Sequence, residues 1–199
     1  NPARRAWGLL ALGLGGFSLG QVGLMTYQLV LRREAPLPSL ADAAFLAGYV
    51  AMIAALGGFV RAYLASGLPV GRGRNHALVA AAAALVLTAT GVLLLLPVVR
   101  ADVAPAERAL NVAYPVLDFL ALLPCVVLVR MAWTLRGGHI ARVWTSLLSG
   151  FCFMAAGDVL FSYFSSIGAK HLEPLVDLSL LLGYFFVAWG AGRQRELAG

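Results

Sequence analysis

Acidic side chains are scarce in this sequence, nine Asp and Glu against fifteen Lys and Arg in 199 residues. Charge of either sign is scarce too, at 12%, while 61% of the residues are hydrophobic. So few polar side chains could not cover a soluble domain, and no stretch is polar enough for long enough to make one. The three histidines, His76, His139 and His171, all fall at segment ends, which excludes paired haem ligands inside helices. His-Glu-x-x-His, Gly-x-Ser-x-Gly and the phosphate-binding Walker loop are missing. Cysteine is limited to Cys125 and Cys152, both within apolar runs and without metal-ligand spacing. They read as small packing residues, with a disulfide between them as the minor alternative. No metal and no cofactor is expected.

What is present is apolar sequence in long runs. Six segments, roughly 6–31, 39–65, 76–99, 107–133, 139–165 and 172–194, each have the length to cross about 30 Å of hydrocarbon. The expected fold is therefore all-α: a polytopic membrane protein of six transmembrane helices forming a single transmembrane domain. The first run is too long for a signal-peptide core, and no small-residue cleavage site follows it. The breaks are short and rich in Arg, Pro and Gly, so consecutive helices are expected to be antiparallel neighbours.

The net charge of +6 does not point to nucleic acid, because the basic residues stand singly or in pairs between apolar runs. They read as topology signals. One side holds ten arginines: Arg4, Arg5, Arg61, Arg72, Arg74, Arg130, Arg136, Arg142, Arg193 and Arg195. The other holds Arg32, Arg33, Arg100, Arg108 and Lys170, together with most of the loop acids. The bias places both termini in the cytoplasm, and the arginine-rich, alanine- and glycine-rich composition suggests a bacterial inner membrane. Gly71-Arg72-Gly73-Arg74 has the look of an anion nest, but an ordinary positive loop is the preferred reading. Trp7, Trp133, Trp144 and Trp189 lie towards the cytoplasmic ends and fit an interfacial belt.

An internal repeat is visible. Trp7, Gly13 and Gly20-Gln21 in the first segment match Trp144, Gly150 and Gly157-Asp158 in the fifth at the same spacing. Leu40-x-Asp42-x-x-x-Leu46-x-Gly48-Tyr49 in the second matches Leu175-x-Asp177-x-x-x-Leu181-x-Gly183-Tyr184 in the sixth. An even number of spans separates the copies, so helices 1–2 and 5–6 form a parallel repeat. Gly16-x-x-x-Gly20 permits close helix contact. The third segment, Ala-, Leu- and Val-rich with Thr88 and Thr90 as its polar interior residues, reads as a peripheral, lipid-facing helix.

The polar residues carry the functional reading. Asp118 lies inside the fourth apolar run, where a carboxylate costs roughly 2.5–3.5 kcal/mol to insert. Pro115, three residues earlier, lacks a backbone donor, so the Asn111 carbonyl loses its usual helix partner. A broken ladder beside a buried acid lines a cavity or a helix interface, away from lipid. Tyr114 and Asp118 are four apart and share a face; Asp42 and Tyr49 are seven apart and do the same. By depth, Asp42, Asp177, Tyr49, Tyr184, Tyr114, Asp118, Asp158, Tyr163, Gln21 and Tyr27 all fall in the outer half of the membrane. These positions suggest an outward-opening pocket for a small or amphipathic ligand or a cation. The structural alternative is a set of hydrogen bonds gluing helices together, each worth about 1 kcal/mol. For Asp42 and Asp177, near their helix starts, capping is preferred; for Asp118 and Asp158, the pocket is.

These motifs also carry a resemblance. Leu40-Ala-Asp42 to Gly48-Tyr49, Asn111 to Asp118, Gly157-Asp158 to Tyr163, and Leu175-Val-Asp177 to Tyr184 resemble the multi-helix membrane input region of bacterial signalling proteins. In that family the region commonly precedes diguanylate cyclase (GGDEF), EAL, PAS or histidine-kinase modules. The resemblance implies a sensory module, surrounded by lipid, with a fused or separate cytoplasmic output domain attached near Gly192-Arg193-Gln194-Arg195-Glu196. The 199 residues contain no such output domain. A homodimer is compatible with this reading. The runner-up is a small transporter or ion-coupled carrier, for which parallel repeats, broken helices and midplane acids are also typical. Third is an intramembrane enzyme acting on lipid, with Asp118 and Asp158 as its acid pair; no metal-binding histidine supports it.

Overall fold

The computed structural model describes residues 2–33, 35–66, 73–100, 102–134 and 138–198, and these residues are entirely helical or connecting. The six α-helices are α1 (Pro2–Met25), α2 (Leu40–Ala65), α3 (Gly73–Arg100), α4 (Pro105–Thr134), α5 (Gly138–Ile167) and α6 (Glu173–Ala198). A π turn at Thr26–Val30 extends α1, and a 3-10 turn at Lys170–Leu172 precedes α6. Five stretches are long and apolar enough to cross a membrane: Arg4–Val30, Leu40–Ala65, Pro105–Trp133, Ala141–Phe164 and Pro174–Gln194. Length and composition are those of a membrane protein. Within α3 the described residues give a shorter apolar stretch, Ala77–Val86.

Glycine sets the closest helix contacts. A Cβ on Gly13 would lie 3.0 Å from the Gly48 carbonyl oxygen, and one on Gly16 would lie 2.9 Å from that of Ala44, so α1 and α2 meet backbone to backbone. The Gly16–Gly20 face therefore packs on α2 as expected. In the second hairpin a Cβ on Gly150 would lie 2.9 Å from the Gly183 oxygen. Ser179 on α6 further donates to the Phe153 carbonyl on α5 at 2.8 Å.

The arrangement between hairpins differs. α4 stands in the middle and packs against α2, α3 and α5. Among the described residues no Cα of α2 lies within 8 Å of one in α5. Long side chains bridge that gap. Trp144 of α5 is buried against Phe59 of α2, with ring centroids 5.0 Å apart, and Trp7 of α1, at 6.4 Å. Its indole N–H donates to the Tyr63 hydroxyl at 2.9 Å. The interfacial-belt expectation is corrected for Trp144, which is an interior packing residue because aromatic neighbours from the other hairpin surround it. Trp133 and Trp189 are exposed.

A second correction concerns neighbours. α2 and α3 follow each other in sequence, yet among the described residues their Cα atoms do not approach within 8 Å; α3 packs on α4 and α5 instead. Its outer face, with Leu78, Leu85, Val86 and Val92, is exposed. The anion-nest positions Gly71 and Arg72 lie outside the described residues, as does Arg136. Cys125 is buried and Cys152 exposed, and both are free thiols.

Candidate functional site

The site begins at Pro115. The Asn111 carbonyl it releases is buried, and the Ser162 hydroxyl of α5 donates to it at 3.1 Å. A defect in one helix is thereby satisfied by the next, tying α4 to α5 just above the acids. Ser162 lies one helical turn beyond Asp158, on the same face.

Two turns past Asn111, and one past Pro115, comes Asp118, 3% exposed. Tyr49 reaches it from α2, fully buried, its ring held edge-on by Phe17 at 4.7 Å between centroids. The Tyr49 hydroxyl lies 2.7 Å from Asp118 Oδ1 and 2.6 Å from Asp158 Oδ2. Three helices thus meet at one phenol oxygen. Asp158 is partly exposed, whereas Asp118 Oδ2 is buried and meets no hydrogen-bond partner among the described residues.

A second polar cluster sits beside the first. Ser39 and Asp42 form a capping box at the start of α2: the Ser39 N–H and hydroxyl lie 2.6 and 2.8 Å from Asp42 Oδ2. The Tyr114 hydroxyl donates to Asp42 Oδ1, linking α4 to α2. Asp42 therefore caps its helix and also takes part in the interhelical network. The Tyr114 and Tyr49 rings lie 6.2 Å apart, which joins the two clusters. Tyr184 of α6 is partly buried against the same core and within electrostatic range of Asp158.

The other expected residues stand apart. Asp177 is exposed in the first turns of α6, a helix that packs on α5. Gln21 is half-buried on α1, which packs on α2. Among the described residues neither makes a hydrogen bond to Tyr49, Asp118 or Asp158. Both sit on the outermost helices of the row, which explains why depth alone misplaces them. Tyr163 sets its ring against Phe164 at 6.1 Å.

The Tyr49 hydroxyl bonds both Asp118 and Asp158, and the two carboxyls are within hydrogen-bonding range of each other. Two cavities among the described residues lie elsewhere. One, of about 540 Å³, is lined by Trp133, Arg142, Ser146, Trp189 and Arg193 at the arginine-rich end; the other, of about 420 Å³, is an apolar groove between α3 and α4. Sequence reasoning did not name Ser162, Ser39, or the Tyr63–Trp144 bond. Ser162 had one usable signal, its one-turn spacing from Asp158. The described residues hold no group of three His, Cys, Asp or Glu able to bind a metal ion. Comparison with family models, curated proteins and solved structures gave no match to this chain.

Proposed function

We propose that this chain is a bacterial inner-membrane sensory or regulatory module, in which Asp118, Tyr49 and Asp158 are the joint between two helix pairs. One observation carries the reading: a single buried hydroxyl on α2 bonds carboxyls on both α4 and α5, although among the described residues no Cα of α2 lies within 8 Å of one in α5. α2 meets α5 through side chains, while α4 packs on both, so a change in the bonds at Tyr49 re-sets how the two hairpins seat on α4. A ligand that binds one packing better shifts the population towards it. The stimulus is a small or amphipathic ligand or a cation acting in the outer half, and α6 carries the shift to a fused or separate cytoplasmic output.

In this reading α3 is the sixth span and both termini are cytoplasmic, on the strength of the arginine bias. The parallel repeat draws support from matched packing. Gly13 faces Gly48 and Met52 in the first hairpin; Gly150 faces Gly183 and Val187 in the second. Gly20 meets Phe45, and Gly157 meets Leu180 in the same register.

The test is thermal unfolding of the purified chain in lipid nanodiscs, with and without an extract of native membranes. The wild type gains stability from a component of the extract, while Asp118→Leu inserts normally and gains none. An equal gain in both removes Asp118 from ligand recognition.

The bare, buried Asp118 Oδ2 favours a second reading, an ion-coupled carrier. That reading requires solute flux in proteoliposomes that disappears in Asp118→Asn.

A further inference from the structure

Oxygens of three side chains cluster: Tyr49 Oη lies 2.7 Å from Asp118 Oδ1 and 2.6 Å from Asp158 Oδ2, and the two carboxyls are close enough to hydrogen-bond each other. Gaps that short between oxygens are hydrogen-bond lengths, and each needs a hydrogen in it. The phenol brings one hydrogen, and ionised carboxylates bring none. The cluster is therefore short of one hydrogen unless a carboxyl carries it.

Asp42 shows the opposite count. It faces the Ser39 N–H, the Ser39 hydroxyl and the Tyr114 hydroxyl, so an ionised carboxylate is fully served there. Asp118 faces a single donor, and its Oδ2 is buried with none. A bare ionised oxygen in that position has neither water nor a dipole to stabilise it. A metal ion is a poor substitute for the missing hydrogen, because oxygens that share one ion stand farther apart than hydrogen-bonded oxygens do.

We infer that Asp118, Tyr49 and Asp158 form a binding site for one exchangeable proton, shared between the two carboxyls through the phenol oxygen. The proton count stands on geometry alone; its effect on signalling rests on reading the three residues as the joint between hairpins. With the proton bound, Asp118 donates to the phenol oxygen and the phenol donates to Asp158, or the reverse. When the proton passes to water, one of the two bonds is lost and two negative carboxylates face each other. Of the two residues Asp158 is the less buried, and the proton exchanges from its side. The joint is thus closed at lower pH and loosens as pH rises.

The ionisable groups around it are few. α2 presents Tyr49 and Asp42, α4 presents Tyr114, and α6 presents Tyr184. α1 presents the Phe17 ring. α3 has no ionisable residue between His76 and Arg100. On α4 the Arg108 guanidinium reaches the Val103 carbonyl at the helix start. Among the described residues the hydrogen-bond partners at the pair are the Tyr49 hydroxyl and the carboxyls themselves.

Infrared spectroscopy of the full chain in nanodiscs tests the site. At neutral pH the wild type should show a carboxylic-acid C=O band that shifts in D2O, disappears on alkaline titration, and is lost in Asp118→Asn/Asp158→Asn. Tyr49→Phe should shift the band, since its hydrogen-bond partner is gone; this variant serves if the double one does not fold. No such band at neutral pH, a band that survives the double substitution, or a band removed by sodium at constant pH overturns the proposal. A band as expected, with no change in inter-hairpin distance between neutral and alkaline pH, keeps the proton site and rejects the joint.

Discussion

Tyr49 and Asp158 are 109 residues apart in sequence and 2.6 Å apart at their oxygens, although their helices bring no Cα atoms within 8 Å. The bond is a long reach by a rigid side chain whose ring is fixed by Phe17. Within each hairpin, by contrast, glycines let backbones touch. Rigid pairs linked by a directional joint can move as bodies, and the function proposed here uses that property.

The joint should have a measurable coupling energy. Tyr49→Phe and Asp158→Asn, singly and together, should give a double-mutant-cycle coupling of roughly 0.5–2 kcal/mol in thermal or denaturant unfolding in detergent. A coupling indistinguishable from zero would mean that the contact contributes nothing to holding the helices together.

Ser162→Ala leaves the Asn111 carbonyl buried and unpaired, at a cost of about 1–3 kcal/mol. Pro115→Ala restores a backbone N–H to that carbonyl. Ser162→Ala should therefore cost much less in a Pro115→Ala background. Equal costs in both backgrounds would show that the serine is not compensating the proline.

The glycine contacts predict a sharp positional contrast. Gly48→Ala places a Cβ 2.9 Å from the Gly13 oxygen, and Gly183→Ala places one 2.6 Å from Met154 Cγ. Each should lower stability by about 1–3 kcal/mol. Gly57 has nothing within 4 Å of its added Cβ, so Gly57→Ala should be neutral or stabilising by up to about 1 kcal/mol. Unfolding midpoints of the three variants in one detergent check this.

The repeat-equivalent acids should behave differently. Asp42→Asn weakens a cap and a link to Tyr114, costing about 0.5–2 kcal/mol. Asp177→Asn, at an exposed position, should fall within ±0.5 kcal/mol. Similar losses at both would place Asp177 in a network of its own.

Helix number and boundaries were legible because apolar runs broken by Arg, Pro and Gly leave little ambiguity; 107–133 was expected and Pro105–Thr134 observed. Asp118 and the freed Asn111 carbonyl were legible because each is costly in hydrocarbon. Depth placed Tyr49, Asp118 and Asp158 in the outer half of the membrane, but depth carries no angular information. It could not show that Tyr49 bonds both acids at once, or that Gln21 and Asp177 sit on outer helices. Loop length misled at α2–α3, where a short connection joins helices whose described Cα atoms do not come within 8 Å, because α4 provides the partner face for both. Trp144 misled in the same way: its position near a helix end fits an interface, while its neighbours come from a hairpin distant in sequence.

The most direct test of the joint is a distance. With Cys125 and Cys152 replaced by Ala, spin labels at Ala65→Cys on α2 and Ala188→Cys on α6 report the separation of the hairpins by pulsed electron resonance in nanodiscs. The account predicts a narrow distribution in the otherwise wild-type chain and a shifted or broadened one in Tyr49→Phe. An unchanged distribution in Tyr49→Phe would contradict it.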